Sequence, residues 1–322
     1  MSVLGVRTVR DAARIRALRS PKPSIDPWKP IDVLLEDERQ ADGTVAPCLS
    51  VFLAGAECPF TCVHCDLWRF TLDGPTPPGA LPSQLQQALR LRVWMRRPES
   101  IKLYNASNFF DPRAVPPEDL PILAAHLASF RRVTVECHPR LVGEACTRFA
   151  GSLAGRLEIA MGLETVHPDA LPRLNKQMTL RQFDEAVAFL RSAGIGSRAF
   201  VLVSPPYVPA QEAVEWTVRS VKHAVDAGVD VVSLIPMRGG DGELGRLAAE
   251  GTLVPPSLRT FDRAVEACLR LDRGLVLADL WDVETLRGCS ACRTQRITHL
   301  REMNRTGRIG THVVCDQCAP LG

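Results

Sequence analysis

The chain has 322 residues, 46% of them hydrophobic, which is enough for one large domain or two ordinary ones around a sizeable core. A formal net charge of +3 is close to balance and gives no electrostatic case for a dedicated nucleic-acid binder. No apolar run reaches the ~18–20 residues of a membrane span and no secretory signal is present, so a cytoplasmic protein is expected.

In chain order, residues 1–45 read as an amphipathic helix in "MSVLGVRTVRDAARIRALRS", arginine-rich in the manner of a transit peptide, and then a Pro-rich extended segment, "SPKPSIDPWKP". Residues 46–285 alternate between short apolar, β-branched runs and amphipathic stretches. The strand-like runs are "CLSVFLAG", "SIKLYNA", "RRVTVEC", "RLEIAMG", "RAFVLVS", "VDVVSLIP" and "GLVLADL". Between them, Thr179 and Gln182 form a capping box, with Phe183, Val187 and Leu190 at helical spacing and Gly194 as the stop. Val214, Val218, Val221 and Val225 form the face of another helix that stops at Gly228. Strands alternating with helices give a parallel sheet with right-handed crossovers, and seven of them suit a partial TIM barrel better than a short open sheet. Residues 286–322 are a basic, cysteine-bearing tail.

Eleven cysteines in an unsecreted chain are not expected to pair as disulfides. Cys48, Cys137, Cys146 and Cys268 stand singly and read as core residues. Cys58, Cys62 and Cys65 crowd the loop after the first strand-like run. Polar residues follow the later strands too: Asn105, Ser107 and Asn108, then Glu136 and His138, Glu164, Arg238 to Asp241, and Asp279 with Asp282. In α/β barrels the carboxyl ends of the strands open on one face, so these residues converge on the cysteine loop.

The loop "CPFTCVHC" has C-x3-C-x2-C spacing and no fourth thiolate nearby, unlike a ferredoxin or closed zinc site. Three thiolates suit a [4Fe–4S] cube with one open iron. C-x3-C-x2-C after the first strand of a (βα)6-type partial barrel, with the ring of His64 before the third cysteine, resembles the radical S-adenosylmethionine (SAM) enzymes. "EIAMGLETVHPDALPRLNK" is similar to the elongator–MiaB–NifB-like subgroup of that superfamily. The resemblance implies that SAM chelates the open iron and is cleaved to a 5′-deoxyadenosyl radical, which abstracts hydrogen from a substrate. It implies an electron donor such as a flavodoxin or ferredoxin. It also assigns residues: Asn105 and Ser107 stand where the family has a Gly-Gly-Glu-like loop for the SAM amino group. Glu136 falls near the SAM ribose, Glu164 at SAM or substrate, Arg198 at the SAM carboxylate, and Pro236 against the adenine.

The tail holds "CSAC" (Cys289, Cys292) and "CDQC" (Cys315, Cys318), with 22 residues between the pairs. Such paired knuckles bind structural zinc or, in some radical SAM enzymes, an auxiliary iron–sulfur cluster. Its arginines (Arg293, Arg296, Arg301, Arg305, Arg308) suit a phosphate backbone or a solvated helix face, and the absence of interleaved aromatic residues for base stacking favours the solvated face. About 45 residues precede the barrel, too few for a cobalamin-binding domain, so chemistry without cobalamin is expected. In "ADLWD", Asp279 and Asp282 are expected to face the substrate. RNA, a peptide and a small metabolite all remain open as that substrate. A second reading is a non-catalytic iron–sulfur or zinc protein, acting as a carrier or nucleic-acid-binding module. A carrier needs no open iron, which weighs against it.

Overall fold

Each of the seven expected runs forms a strand in the computed structural model, which describes residues 12–91 and 96–318. An eighth strand precedes them. The strands are β1 (Asp32–Arg39), β2 (Val45–Phe52), β3 (Ser100–Tyr104), β4 (Arg132–Glu136), β5 (Arg156–Glu164), β6 (Gly196–Val203), β7 (Val231–Pro236) and β8 (Leu275–Ala278). The helices are α1 (Ala12–Ala17), α2 (Ala80–Leu91), α3 (Asp119–His126), α4 (Glu144–Ser152), α5 (Ala170–Arg173), α6 (Leu180–Ser192), α7 (Ala213–Ala227), α8 (Gly242–Ala249), α9 (Leu258–Leu269) and α10 (Arg293–Thr306). Residues 1–11 of the expected N-terminal helix lie outside the described residues. No helix among the described residues is long and apolar enough to cross a membrane.

The sheet runs β1 to β8 in chain order, with β2 to β8 parallel. β1 replaces part of the expected extended segment: it pairs antiparallel with β2, from Asp32 opposite Phe52 to Arg39 opposite Val45. The turn between them is closed by Gly43 at φ +82, a left-handed conformation that suits glycine. Asp42 accepts from the Thr44 amide at 2.9 Å.

The side-chain alternation of these strands is inverted from that of a solvated sheet. Ile101, Leu103, Val133 and Val135 point outward, where helix residues such as Leu85, Leu123 and Phe149 complete a continuous apolar core. Cys137, Cys146 and Cys268 belong to that core, and Cys48 is also buried, as expected. The inward positions carry charge. Glu38 of β1 meets Lys102 of β3 at 2.5 Å, Arg132 of β4 at 2.9 Å and Arg198 of β6 at 2.8 Å. A flat sheet would hold β1 and β6 roughly 24 Å apart. The sheet is therefore curled into a half-barrel.

This inner floor balances its charges. Glu36, Glu38 and Glu158 face Lys102, Arg132 and Arg198, and Arg198 also bonds Glu158 at 2.8 Å and Ser233 at 3.1 Å. Burial alone would raise the Glu38 carboxyl, but Arg198 and Lys102 overcome it and hold it far below the usual range. Above the floor lies an aromatic wall: Phe52 and Trp281 have ring centroids 5.0 Å apart, Tyr104 and Trp281 6.2 Å, and Tyr104 and Phe200 6.3 Å.

Candidate functional site

The cysteine loop leaves the carboxyl end of β2 and is held at the mouth by backbone and amide bonds. Asn175 donates to both the carbonyl and the hydroxyl of Thr61, at 2.9 and 2.8 Å, and the Val63 amide donates to Leu174 at 3.0 Å. The segment after α5, "LNKQ", thus pins the middle of the loop. The Asn108 amide donates to the Cys58 sulfur at 3.3 Å and accepts from the His138 amide at 2.7 Å. The His138 ring stacks on Phe60 with centroids 3.9 Å apart, while its Nε2 meets the Lys176 carbonyl at 2.9 Å. Burial and nearby Lys176 push His138 down to about 3, so the ring is neutral.

The three cysteines lack a compensating charge of their own. Burial pushes Cys62 up to about 12 and raises Cys65 and Cys58, while Lys176 opposes the rise at Cys62 and Cys58. The Lys176 ammonium also bonds Glu164 at 2.8 Å, and His64 Nε2 approaches the same carboxylate at 3.4 Å. For Glu164, burial would raise the carboxyl, but Lys176 and then His64 hold it well below the carboxylate range. Local backbone makes this pair possible. Glu164 sits at φ +66 beside a register shift in β5, and a Cβ on Gly162 would stand 2.6 Å from Lys176 Nζ. Only glycine leaves room for the ion pair to lie across the strand.

On the other side of the mouth, Glu136 accepts from the backbone amides of Asn105, at 3.2 Å, and Ala106. Burial outweighs those bonds and pushes its carboxyl up to about 7. Several buried polar atoms here have no protein partner: both side-chain atoms of Asn105, the Ser107 hydroxyl and His64 Nδ1. Buried amides and hydroxyls are costly to leave unpaired, so their concentration at one mouth marks a place where a polar ligand completes them.

The structure divides the residues expected here. Cys58, Cys62, Cys65, His64, Asn105, Ser107, Glu136 and Glu164 belong to loops and strand ends of the mouth. Pro236 ends β7 in the barrel wall. Arg198 is displaced from the expected place: it is the third residue of β6, at the opposite end of the strand from the mouth, and its three nitrogens are engaged by Glu158, Glu38 and Ser233. Asp279 and Asp282 do not form a pair. Asp279 lies at the rim against Arg238, 3.5 Å away, with burial raising its carboxyl and Arg238 opposing. Asp282 is exposed, at φ +53, where it opens a short turn. Asn108, among the polar residues expected at the mouth, bonds Cys58, and Lys176 and Asn175 join the site as well. The segment "EIAMGLETVHPDALPRLNK" carries Asn175 and Lys176, but only the fold shows that it returns to the cysteine loop.

The tail is a second centre. The four sulfurs of Cys289, Cys292, Cys315 and Cys318 lie within 4.8 Å of one another, with Cys292 and Cys318 3.5 Å apart and Cys289 and Cys315 4.0 Å apart. Four thiolates at ~2.3 Å from one tetrahedral ion are ~3.8 Å apart, which matches. A four-iron cube holds its cysteine sulfurs farther apart.

Comparison with known proteins bears on the barrel. An archaeal Elp3 from Methanocaldococcus infernus superposes with a TM-score of 0.53 at 12% identity, over 68% of this chain and 58% of that one. The fold of the barrel is shared with this archaeal Elp3. In sequence, the chain is 25% identical over 227 residues to the archaeosine synthase subunit beta of Methanosarcina acetivorans, covering 66% of this chain and 62% of the relative. It is 22% identical over 223 residues to an uncharacterized protein of Methanocaldococcus jannaschii, covering 66% and 61%. The chain thus spans about three fifths of the length of these curated relatives. No family model matches.

Proposed function

We propose that this chain is a radical SAM enzyme, with Cys58, Cys62 and Cys65 as the ligands of a [4Fe–4S] cluster and the adjoining mouth as the SAM site. The observation that carries the reading is the cluster of unpartnered buried atoms on Asn105, Ser107 and His64 beside a three-cysteine loop at the mouth of this fold. When bound and reduced, the cluster and SAM supply a 5′-deoxyadenosyl radical able to take hydrogen from an unreactive carbon. The chain supplies binding and position. Asn108 donates to the Cys58 sulfur, which supports its thiolate and adjusts the metal it holds. Lys176 replaces Arg198 as the cation for the SAM carboxylate: an ammonium has three donors, and Glu164 accounts for one of them. Glu136, Asn105 and Ser107 face the polar groups of the same ligand. Below them, the aromatic wall of Phe52, Tyr104, Phe200 and Trp281 suits a substrate with a flat or apolar face. An external one-electron donor of the flavodoxin or ferredoxin kind completes the system.

The tail sulfurs are assigned to one zinc ion, on their spacing. A carrier or nucleic-acid-binding module has no use for unpartnered atoms around an open iron, and the relation to a subunit of a synthase agrees with catalysis.

The test is made on protein purified and reconstituted without oxygen. We expect ~4 irons and one zinc per chain, and 5′-deoxyadenosine on adding dithionite and SAM. Cys62→Ser should lose the iron and the product while keeping the zinc and the circular dichroism of the parent. Zinc alone, with no SAM cleavage after reconstitution, would sink the enzyme reading, and ~8 irons would make the tail a second cluster.

A further inference from the structure

The half-barrel has an open seam, because its edge strands β1 and β8 do not pair. Helix α10 packs against both of them. In place of a ninth strand, two side chains satisfy the exposed edge of β8. Asn304 accepts from the Ala278 amide at 2.6 Å and donates to the Ala278 carbonyl at 2.8 Å. Arg39 of β1 donates to the Val276 carbonyl at 2.7 Å and to the Asn304 carbonyl at 3.1 Å. Gly307, which ends α10 at φ +69, lies against this guanidinium, and a Cβ there would stand 2.7 Å from Arg39 Cζ.

The helix that does this is poorly equipped to stay in place by itself. Of its fourteen residues, "RTQRITHLREMNRT", only Ile297, Leu300 and Met303 bury apolar side chains. A single helix of this length is marginal without strong tertiary packing. Its remaining anchors are polar and converge on Arg296, whose guanidinium donates to the Cys292 sulfur at 3.3 Å, to Asp262 of α9 at 2.6 Å and to the Val313 carbonyl at 3.1 Å. His299 shares Asp262 at 2.8 Å, and His312 meets Glu266 of α9 at 2.9 Å. With those carboxylates occupied by Arg296 and His312, the Asp262–Glu266–His299 group is read as an anchor and not as a second metal site. The two knuckles stand on either side of α10: Cys289 and Cys292 just before it, Cys315 and Cys318 on the chain returning from it.

We propose that the four-cysteine metal is a clip that locks α10 across the open seam of the half-barrel, and that Arg296 is the positioning residue joining the clip to α9. The inference rests on the single-ion reading of the tail given above. An ion held by both knuckles closes residues 289–318 into one loop around α10, and the bonds of Arg296 to Asp262 and of Arg259 to the Cys318 carbonyl fasten that closed loop to α9, so the helix docks on the seam as a unit with the metal. Arg296 fixes the orientation of one ligand, Cys292, while its other two bonds tie the returning chain and α9 to the same point. The seam lies three residues from Trp281, so the lock also fixes the aromatic wall of the lumen.

The experiment is amide hydrogen exchange on the full chain, read beside metal analysis. Removing zinc by chelation, or by Cys315→Ser, should speed exchange at the Ala278 amide and along α10 by at least ~10-fold, leaving β3 to β6 protected as before. Arg296→Gln should keep the fold but release zinc to a chelating dye ~10- to 100-fold more readily, with Ala278 exchanging at an intermediate rate. Arg296→Lys should not restore the parent, since one ammonium cannot span all three partners. If the purified chain holds no metal at these cysteines, the single-ion reading fails and the clip with it. If it holds zinc whose removal leaves Ala278 as protected as before, the ion is real and the clip is overturned. Zinc affinity unchanged in Arg296→Gln overturns the role given to Arg296.

Discussion

The floor and the mouth of the half-barrel both bury ionisable side chains, yet only the floor pairs every carboxylate with a cation. On the floor, every carboxylate meets a cation: Glu38 alone is touched by Lys102, Arg132 and Arg198. At the mouth, Glu164 meets Lys176, but Glu136 has no cation in contact among the described residues, and Asn105, Ser107 and His64 leave buried atoms unpartnered. A network whose carboxylates are all paired answers to the fold, because a new ion must break a bond first, even though Arg132 Nε and Ser100 Oγ lack a partner there. An unsaturated one answers to a ligand, because the protein bears the cost until something binds. The comparison separates structural from functional polarity without any knowledge of the substrate.

The largest effect that could break this comparison comes from Arg198. Arg198→Met leaves Glu158 and part of Glu38 buried without their main partner, so we expect ~3–5 kcal/mol of destabilisation from denaturant unfolding of the metal-free chain. SAM affinity in the folded fraction should not change. A variant with a parental midpoint and lost SAM affinity would move Arg198 to the mouth, as the sequence reading had it.

That misplacement shows where sequence patterns stop. All seven parallel strands were legible, because their outward faces keep β-branched and apolar residues at alternate positions. β1 was not, since its inward positions hold Glu36 and Glu38 and the strand reads as polar chain. Only the curl of the sheet explains why carboxylates belong there. A strand pattern also gives no depth: Arg198 and the residues of the mouth share the barrel, but Arg198 lies at the amino end of β6. The cysteines were legible through their spacing. Lys176 was not chosen, because it reaches the site only by a return of the chain through α5, twelve residues after its partner Glu164.

A smaller and more discriminating change is Asn105→Ala at the mouth. It deletes two buried atoms that have no partner in the ligand-free chain, so the denaturant midpoint should not fall. SAM binding, followed by calorimetry on the reconstituted protein, should weaken by roughly tenfold, the value of about one hydrogen bond. Destabilisation without any loss of affinity would mean that Asn105 is packing, and that the mouth is less different from the floor than its unpartnered atoms imply.

An effect of similar size concerns Glu136, and its sign depends on pH. Burial raises its folded-state value from 4.5 to about 7, so the folded chain holds a proton that the unfolded chain releases near 4.5. The group therefore favours folding below that lower value, and this contribution drains away as pH rises toward 7, where the buried carboxylate must ionise. Glu136→Gln removes the ionisation and keeps an oxygen to accept the Asn105 amide. Its stability relative to the parent should be flat below pH 4.5 and should climb between pH 4.5 and 7, reaching ~1–3 kcal/mol by pH 8. Denaturation of the metal-free protein at a series of pH values measures this directly. A floor carboxylate has the opposite profile: Glu38, held low by Arg198 and Lys102, contributes stability that is present above the ordinary carboxylate range and lost only as pH falls below it. If Glu136→Gln and the parent titrate alike, Glu136 has a compensating cation after all, and its place among the unsaturated groups of the mouth has to be given up.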